Sequence, residues 1–449
     1  MLTQERCEAY IRILEEELHT ATGCTEPIAI AYCAAKLRAL LGKQPERILA
    51  EVSGNILKNV KSVVVPNTGG QKGIRAAICA GIVAGRAERE LEVIASITQE
   101  EQREIASYAE RTSIEIQCPD TPRMLDIRLT GFAGTDQAVV HIANHHTNVI
   151  YEALNGEVRL EKPLLDSPED NLTDKSVLNV KDIVSFADTV DLSQVSQLLQ
   201  RQITCNEAIA QEGLRGDWGA GIGKLLLAGG DGIRAEARAY AAAGSDARMS
   251  GCEMPVVIVS GSGNQGMAAS LPVIRYARHL GVSQEKMYRA LLVSDLVTIH
   301  QKTGIGRLSA YCGAVSAGVG AGAGIAYLTD GSYHAVAHTI VNAVAILSGM
   351  ICDGAKPSCA AKIAAAVDAG ILGYQMVCGK KQFRDGDGIV HKGVENTIAN
   401  VGVLARVGMA ATDRTILALM MGGRPPSGVS SGSQPGQERH DNQRLNDKF

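Results

Sequence analysis

The sequence has few aromatic residues, almost no excess of charge of either sign and no long apolar run at its beginning. Only 4% of its 449 residues are aromatic, so the core must be built from aliphatic and small side chains. The formal net charge is -4, which argues against a general nucleic-acid-binding protein, because such proteins carry a basic surface. Residues 1–20 are charged and amphipathic, without the apolar run of a signal peptide, so we expect a cytoplasmic protein.

Small residues and cysteines are what the sequence has in quantity. Hydrophobic residues make up 45% of the chain and there are 48 glycines, which is enough for a large core in which backbones approach closely. The length predicts two or three domains of about 150 residues each. In a reducing compartment, the 11 cysteines are thiols, metal ligands or catalysts rather than a disulfide framework. Most of them are expected to be small buried hydrophobic residues.

The hydrophobic patterning predicts an α+β protein. Residues 1–175 combine amphipathic helices with short alternating runs, which predicts a mixed α/β domain with an antiparallel sheet. Two of the runs predicted as strands are 48–52 and 60–65. Strand patterns nearly vanish in 176–421, which predicts a mainly helical domain. Residues 422–449 lack apolar periodicity, and we expect a disordered tail there.

One uncharged segment is long enough to span a bilayer. Residues 308–329 contain no Asp, Glu, Lys or Arg, but they are mostly Gly, Ala and Ser, with few of the large apolar residues that favour lipid. We therefore predict a buried, tightly packed helix at this place.

A glycine-rich segment, GSGNQG at 261–266, matches the dinucleotide-binding pattern literally. A second strand with an acidic residue for the ribose is missing after it, so a dinucleotide site is disfavoured. The alternatives are an ordinary glycine turn or a helix start that binds a small anion such as a substrate carboxylate. We name Ser260, Ser262 and Asn264 as candidate substrate-binding residues, and add His300 because of its position before the next motif.

Four cysteines lie in glycine-marked or turn-marked segments. Cys24 directly precedes a helix start, where the helix dipole favours the thiolate and hence a base or nucleophile. Cys352 and Cys359 bracket a turn-rich loop, and Cys312 lies at the head of the glycine-rich helix predicted in the uncharged segment. Together these last three thiols are suited to zinc or to an iron–sulfur cluster, and their spacing does not choose between the two or exclude plain packing.

The motifs resemble those of the L-cysteine desulfidase family, which is related to the α-subunit of iron–sulfur L-serine dehydratases. The resemblance covers residues 4–421 and rests on four segments: GCTEP at 23–27, SGSGNQG at 260–266, HQKTGIGRLSAYCG at 300–313 and CDGAKPSC at 352–359. It implies a [4Fe-4S] cluster bound by Cys312, Cys352 and Cys359, with Cys24 as the catalytic base. It also implies a lyase of cysteine catabolism that converts L-cysteine and water to pyruvate, ammonia and sulfide.

Two departures from the dehydratases favour the desulfidase. No cysteine follows Cys378, whereas some serine dehydratases end in a cysteine that folds back onto the cluster, and we find no motif of their separate β-domain. The alternatives are an L-serine dehydratase, a non-catalytic small-molecule-binding protein and, more weakly, a nicotinamide-dependent oxidoreductase. We expect a small amino acid as the partner, no nucleic acid and no membrane, and leave a homodimer open.

Overall fold

The computed structural model describes residues 2–23, 25–119, 121, 123–163, 172–306 and 309–421. Within them the predicted α+β class is confirmed: a sheet lies in the first third of the chain and helices make up most of the rest. The tail predicted at 422–449 lies outside the described residues.

The strands form one large sheet and one small one. In chain order they are β1 (Thr20–Thr22), β2 (Arg47–Val52), β3 (Ser113–Gln117), β4 (Asp126–Ala133), β5 (Asp136–Ala143), β6 (Val149–Leu154), β7 (Glu157–Glu161) and β8 (Pro255–Val257). The large sheet has the order β3-β2-β4-β5-β6-β7. Its pairs are antiparallel, as predicted, except that β2 and β3 are parallel. The small sheet pairs β1 with β8.

The helix Thr25–Leu41 packs on the large sheet, and helices make up most of the rest of the described chain. In chain order they are α1 (Gln4–Glu17), α2 (Thr25–Leu41), α3 (Gly54–Val60), α4 (Gly73–Ala84), α5 (Gln99–Arg111), α6 (Val180–Thr189), α7 (Ser196–Arg215), α8 (Ile222–Ala228), α9 (Ile233–Met249), α10 (Gly263–Leu280), α11 (Gln284–Ile305), α12 (Gly313–Thr329), α13 (Tyr333–Ile346), α14 (Cys359–Cys378), α15 (Val394–Val403) and α16 (Ala410–Met420). A π-helical turn, Leu404–Gly408, joins the last two. Helix α2 packs on β4 and β5, and α4 packs on α2.

The uncharged segment is a buried helix, as the sequence predicts. Helix α12 packs against α10, α11, α13 and α14, and it is buried from Ala314 to Leu328. It crosses α14 at Gly318 and Gly370, where a Cβ on Gly318 would stand 2.2 Å from the carbonyl oxygen of Ala366. Glycine is therefore required for this approach of two backbones.

By length and composition, only α14 among the described helices could cross a membrane. In the fold it packs against α9, α12 and α13.

The strand predicted at 60–65 is wrong. Val60 is the last residue of α3 and lies one helical turn after the buried Ile56. The two side chains therefore share one face of a helix. The rest of the run is a turn with a single bridge between Val64 and Lys72. The alternating apolar residues that suggested a strand include Val63 and Val65, which are buried. They are not part of a hydrogen-bonded pair of strands among the described residues.

The buried side chains form two large cores. One core runs from Ile28 to Val149 and fills the space between the sheet and its helices. The other contains helices from Leu178 onward and also α1, whose Tyr10 packs on Phe186 with ring centroids 5.3 Å apart. The domain boundary that we place between residues 175 and 176 stays a prediction. Although α1 precedes that boundary in the sequence, it packs in the core of the helical part.

Candidate active site

A cavity of about 130 Å³ lies where the two cores meet, and all four motifs contribute to its wall. One side of it is made by Glu26 of α2 and by Lys58 and Asn59 of α3. The other side is made by the turn before α10, the start of α12 and the loop before α14. A cavity of this size suits a molecule of a few heavy atoms, because pockets for drug-sized ligands have volumes of roughly 300–1,000 Å³.

The structure brings Cys312, Cys352 and Cys359 together in the wall of this cavity. Cys312 directly precedes α12, and Cys359 is the first residue of α14. The two loops are paired through their backbones: the N–H of Cys352 donates to Ala310 at 2.7 Å, and the N–H of Cys312 donates to Met350 at 2.8 Å. This pairing is the reason that thiols 40 residues apart in the chain face one cavity.

The three thiols differ in their preference for the thiolate. The Cys312 thiol donates a hydrogen bond to the Cys352 sulfur, which lowers the pKa of Cys352, and the nearby Lys58 ammonium lowers it further. The same hydrogen bond, together with burial, raises the pKa of Cys312. Burial raises the pKa of Cys359. Cys352 is therefore the thiol of this set that ionises first.

Two buried lysines supply positive charge at the same wall. Lys58 is 2% exposed, and its ammonium pairs with Asp413 of α16 at 2.6 Å. Burial lowers the pKa of Lys302 to about 8, although the Cys352 and Cys312 thiols oppose that shift. These cations offset the charge of any thiolate formed beside them.

The described part of the chain contains no group of three or more His, Cys, Asp or Glu side chains arranged to hold a single metal ion. A [4Fe-4S] cluster makes a different demand, because each thiolate binds its own iron and the ligands surround the cluster from separate sides. Three thiols in the wall of one cavity have the chemistry of that donor set.

The glycine-rich turn also lines the cavity, through Ser260, Ser262 and Asn264. Ser260 has φ +49° and Gly261 has φ +77°, and Val259 and Ser262 exchange backbone hydrogen bonds of 3.2 and 3.1 Å across them. A non-glycine residue with positive φ is strained, and such strain is concentrated at functional sites.

Ser262 caps α10 by accepting a hydrogen bond from the N–H of Gln265. The strand before this turn, β8, pairs only with β1 among the described strands, so the parallel sheet of a dinucleotide-binding unit is missing there.

Among the described residues that the sequence predicts for the site, His300 is not in the cavity wall. His300 lies on α11, and its Nε2 is 2.6 Å from the Oε2 atom of Glu395 on α15. Its role in substrate binding stays a prediction. Cys24 lies outside the described residues. Of its neighbours, Gly23 is buried, and its carbonyl oxygen accepts a hydrogen bond of 3.0 Å from Arg248 of the cavity wall.

Sequence reasoning missed Arg248, Gln265, Tyr311, Lys58 and Lys302, which all line the cavity. A signal for Arg248 was present. Ala237, Ala241, Gly244 and Arg248 follow a helical spacing of four, three and four residues, and all are buried, so the arginine continues an apolar face. Nothing local marks Lys58, because its partner Asp413 is 355 residues away in the chain.

The fold and the cavity define a protein with a small, polar, thiol-lined site. Residues 88–418 match the sequence model of the serine dehydratase alpha chain, and the chain belongs to that family. The predicted relationship to the dehydratase α-subunit is thereby confirmed.

Close relatives extend over nearly the whole chain. A UPF0597 protein of Desulfitobacterium hafniense is 56% identical over 415 residues, which are 92% of this chain and 96% of the relative. A UPF0597 protein of Treponema denticola is 47% identical over 427 residues, covering 94% and 99% of the two chains. One from Bacteroides fragilis is 37% identical over 426 residues, covering 93% and 99%.

Proposed function

We propose that the protein is an iron–sulfur-dependent lyase, an L-cysteine desulfidase that converts L-cysteine and water to pyruvate, ammonia and sulfide. The observation that carries the proposal is the convergence of Cys312, Cys352 and Cys359 on one small cavity whose wall also holds the Ser260–Asn264 turn. Membership of the serine dehydratase alpha-chain family supports an elimination at an amino acid that carries a leaving group on Cβ.

The donor set supports a [4Fe-4S] cluster bound by these three cysteines, since thiolates are the ligands that such clusters take. When bound, the cluster would supply a Lewis acid at the iron that has no protein ligand. Cys312 and Cys359 stand at the starts of α12 and α14, so the helix dipoles oppose the rise in pKa described above for both thiols. Lys58 and Lys302 offset further negative charge.

The chain's own groups would bind the substrate and move its proton. Cys24 directly precedes α2 in the chain, and we assign to its thiolate the removal of the proton from Cα. The electron pair of that C–H bond forms the Cα–Cβ double bond while the Cβ–S bond breaks and hydrosulfide leaves. The aminoacrylate takes up a proton at Cβ, and water then replaces the imine nitrogen, which releases ammonia.

L-serine dehydration is the second candidate function, and the match to the serine dehydratase alpha chain favours it. The chemistry is the same except that water leaves in place of sulfide. The decisive measurement is kcat/KM for the two amino acids on anaerobically purified protein. We expect pyruvate and sulfide in equal amounts from L-cysteine, with a higher kcat/KM than for L-serine. A higher value for L-serine would favour the dehydratase, and pyruvate from neither would contradict both.

The role of Cys24 has its own test. Cys24→Ala should retain the iron of the wild-type protein and lose about 10²–10⁴-fold in turnover, because a positioned base contributes roughly that much. Cys205→Ala is the control, since Cys205 lies on α7 away from the cavity. Loss of iron in Cys24→Ala would assign Cys24 as a ligand instead, and a loss of less than about 10-fold would show that it only packs.

The thiols also bear on where the enzyme works. Nine cysteines in the described part of the chain are free thiols, which supports a reducing compartment: Cys7, Cys33, Cys79, Cys205, Cys252, Cys312, Cys352, Cys359 and Cys378. We propose the cytoplasm on that ground.

A further inference from the structure

Three polar side-chain atoms on residues that line the cavity are buried and have no hydrogen-bond partner among the described residues. They are Nε of Arg248, Oε1 of Gln265 and the hydroxyl oxygen of Tyr311. The three side chains are 7%, 7% and 1% exposed. Buried polar groups are almost always paired in proteins, so a set of three on one small cavity indicates a polar ligand.

Arg248 is the one charged member of this set. It lies in the last turn of α9, and its guanidinium donates to the carbonyl oxygen of Gly23 at 3.0 Å and to Oδ1 of Asn264 at 3.4 Å. No carboxylate in the described part of the chain forms an ion pair with it. Arg238, ten residues earlier on the same helix, pairs with Asp368. A guanidinium cannot shed its proton in a protein, so the buried charge of Arg248 calls for an anion.

The first residues of α10 and α12 leave space for the side chains of Arg248 and Gln265. A Cβ on Gly263 would stand 2.5 Å from Nε of Arg248, and a Cβ on Gly313 would stand 2.5 Å from Cδ of Gln265. The first residues of α10 and α12 are therefore glycines where the two polar side chains need the space.

We propose that Arg248 binds the α-carboxylate of the amino-acid substrate, with Gln265 accepting a hydrogen bond from its ammonium group. The proposal rests on the function proposed above. The guanidinium matches the carboxylate in charge and in planar geometry. Tyr311 lines the same cavity, and its hydroxyl, which has no partner among the described residues, is a further hydrogen-bond donor for the ligand. This assignment adds a residue that selects amino acids over their neutral derivatives.

The test uses L-alanine, which lacks a leaving group on Cβ and so binds without reacting. Its affinity for the cluster-loaded protein is compared by calorimetry with that of L-alaninamide, whose carboxylate is replaced by a neutral amide. We expect wild-type protein to bind L-alanine at least about 10-fold more tightly, because hydrogen bonds to charged groups are the strong ones. Arg248→Gln should lose that preference and leave the affinity for L-alaninamide unchanged.

Two further variants keep the test decisive. Arg238→Gln, on the same helix but outside the cavity wall, should retain the wild-type preference. Arg248→Lys preserves the charge without the planar fork and should bind L-alanine more weakly than wild type, so it serves if Arg248→Gln fails to fold. Circular dichroism and iron content check that the variants are intact.

The outcomes separate the two proposals. Equal affinity of wild-type protein for acid and amide, wild-type affinity in Arg248→Gln, or no binding of L-alanine at all would overturn the role of Arg248, even where L-cysteine is turned over. A preference for L-alanine that depends on Arg248, in a protein that turns over neither L-cysteine nor L-serine, would overturn the lyase and support the carboxylate site.

Discussion

At the scale of single residues, the helical core contains a carboxyl group that makes stability depend on pH. Asp295 on α11 is fully buried. It accepts one hydrogen bond, from Gln202 at 3.0 Å, and its Oδ2 atom has no partner among the described residues. Burial raises the pKa of Asp295 to about 7, from an ordinary value of 3.8. The folded chain therefore binds a proton here that the unfolded chain has already released.

The sign of the pH dependence follows from that difference. Between about pH 4 and pH 7 the folded state holds more protons than the unfolded state, so the contribution of Asp295 to stability falls as pH rises. Asp295→Asn retains the acceptor for Gln202 and removes the charge. We expect the variant to be more stable than wild type at pH 8, by a few kcal/mol at most, and this advantage to disappear by pH 4. Urea unfolding at both pH values measures it. An advantage that does not change with pH would contradict the assignment.

Sequence reasoning reached the three cavity cysteines but not the side chains of Lys58, Arg248 and Gln265 around them. Cys312, Cys352 and Cys359 stand in motifs that are visible along the chain, and all three line the cavity. Lys58 could not be assigned in the same way, because its role depends on burial and on a partner, Asp413, that is 355 residues away in the chain. Arg248 continues an apolar helical face, but that spacing indicates only its burial and not its place in the cavity wall. His300 was named from its position next to a motif, which does not show which way a helical side chain points, and its role in substrate binding stays a prediction.

At the scale of elements, the loop before α14 carries Cys352, leads directly to Cys359 and lies against α3. Gly354, in this loop, has φ +93°, and a Cβ there would stand 1.9 Å from the carbonyl oxygen of Lys58. The loop can take this path only with glycine at that position. The close approach of Gly354 to Lys58 therefore packs the loop before α14 against the N-terminal part of the chain.

Gly354→Ala should displace the loop and lower the iron content of the purified protein. Gly388→Ala is the matched control, because Gly388 also has positive φ, +64°, but a Cβ there meets nothing within 4 Å. The control should cost about 1–2 kcal/mol of unfolding free energy from backbone strain alone. Gly354→Ala should cost a further 1–3 kcal/mol or so from the clash. Equal stability and equal iron content in the two variants would show that the loop does not depend on this contact.

The helices and the large sheet were predictable because their apolar periodicity is long and regular. Helix α12 was predicted from composition alone. A helix of Gly and Ala without charged residues has small side chains that let it pack closely against neighbouring helices. The strand expected at 60–65 failed because a short run of buried valines looks the same in a strand and in a turn. The pairing of β1 with β8 joins strands of three residues each, which are too short to leave a pattern.

At the scale of the whole molecule, the site takes side chains from α2 and α3, which pack in one core, and from helices that pack in the other. The pair of β1 and β8 joins the segment before the GCTEP motif to the strand before the glycine-rich turn, and Lys58 of α3 pairs with Asp413 near the end of the described chain. A domain boundary placed from composition does not reveal these contacts between distant parts of the chain. It also misplaces α1, which precedes the sheet in sequence but packs with the helices. The cavity depends on both halves being folded.

The measurement that tests the account most directly is the iron and acid-labile sulfide content of anaerobically purified protein. A [4Fe-4S] cluster predicts about four irons and about four sulfides per chain. Cys312→Ala, Cys352→Ala and Cys359→Ala should each lose them, and Cys205→Ala should not. Stoichiometric zinc without labile sulfide, or full iron content in any of the three cavity variants, would contradict the assignment of these thiols as cluster ligands.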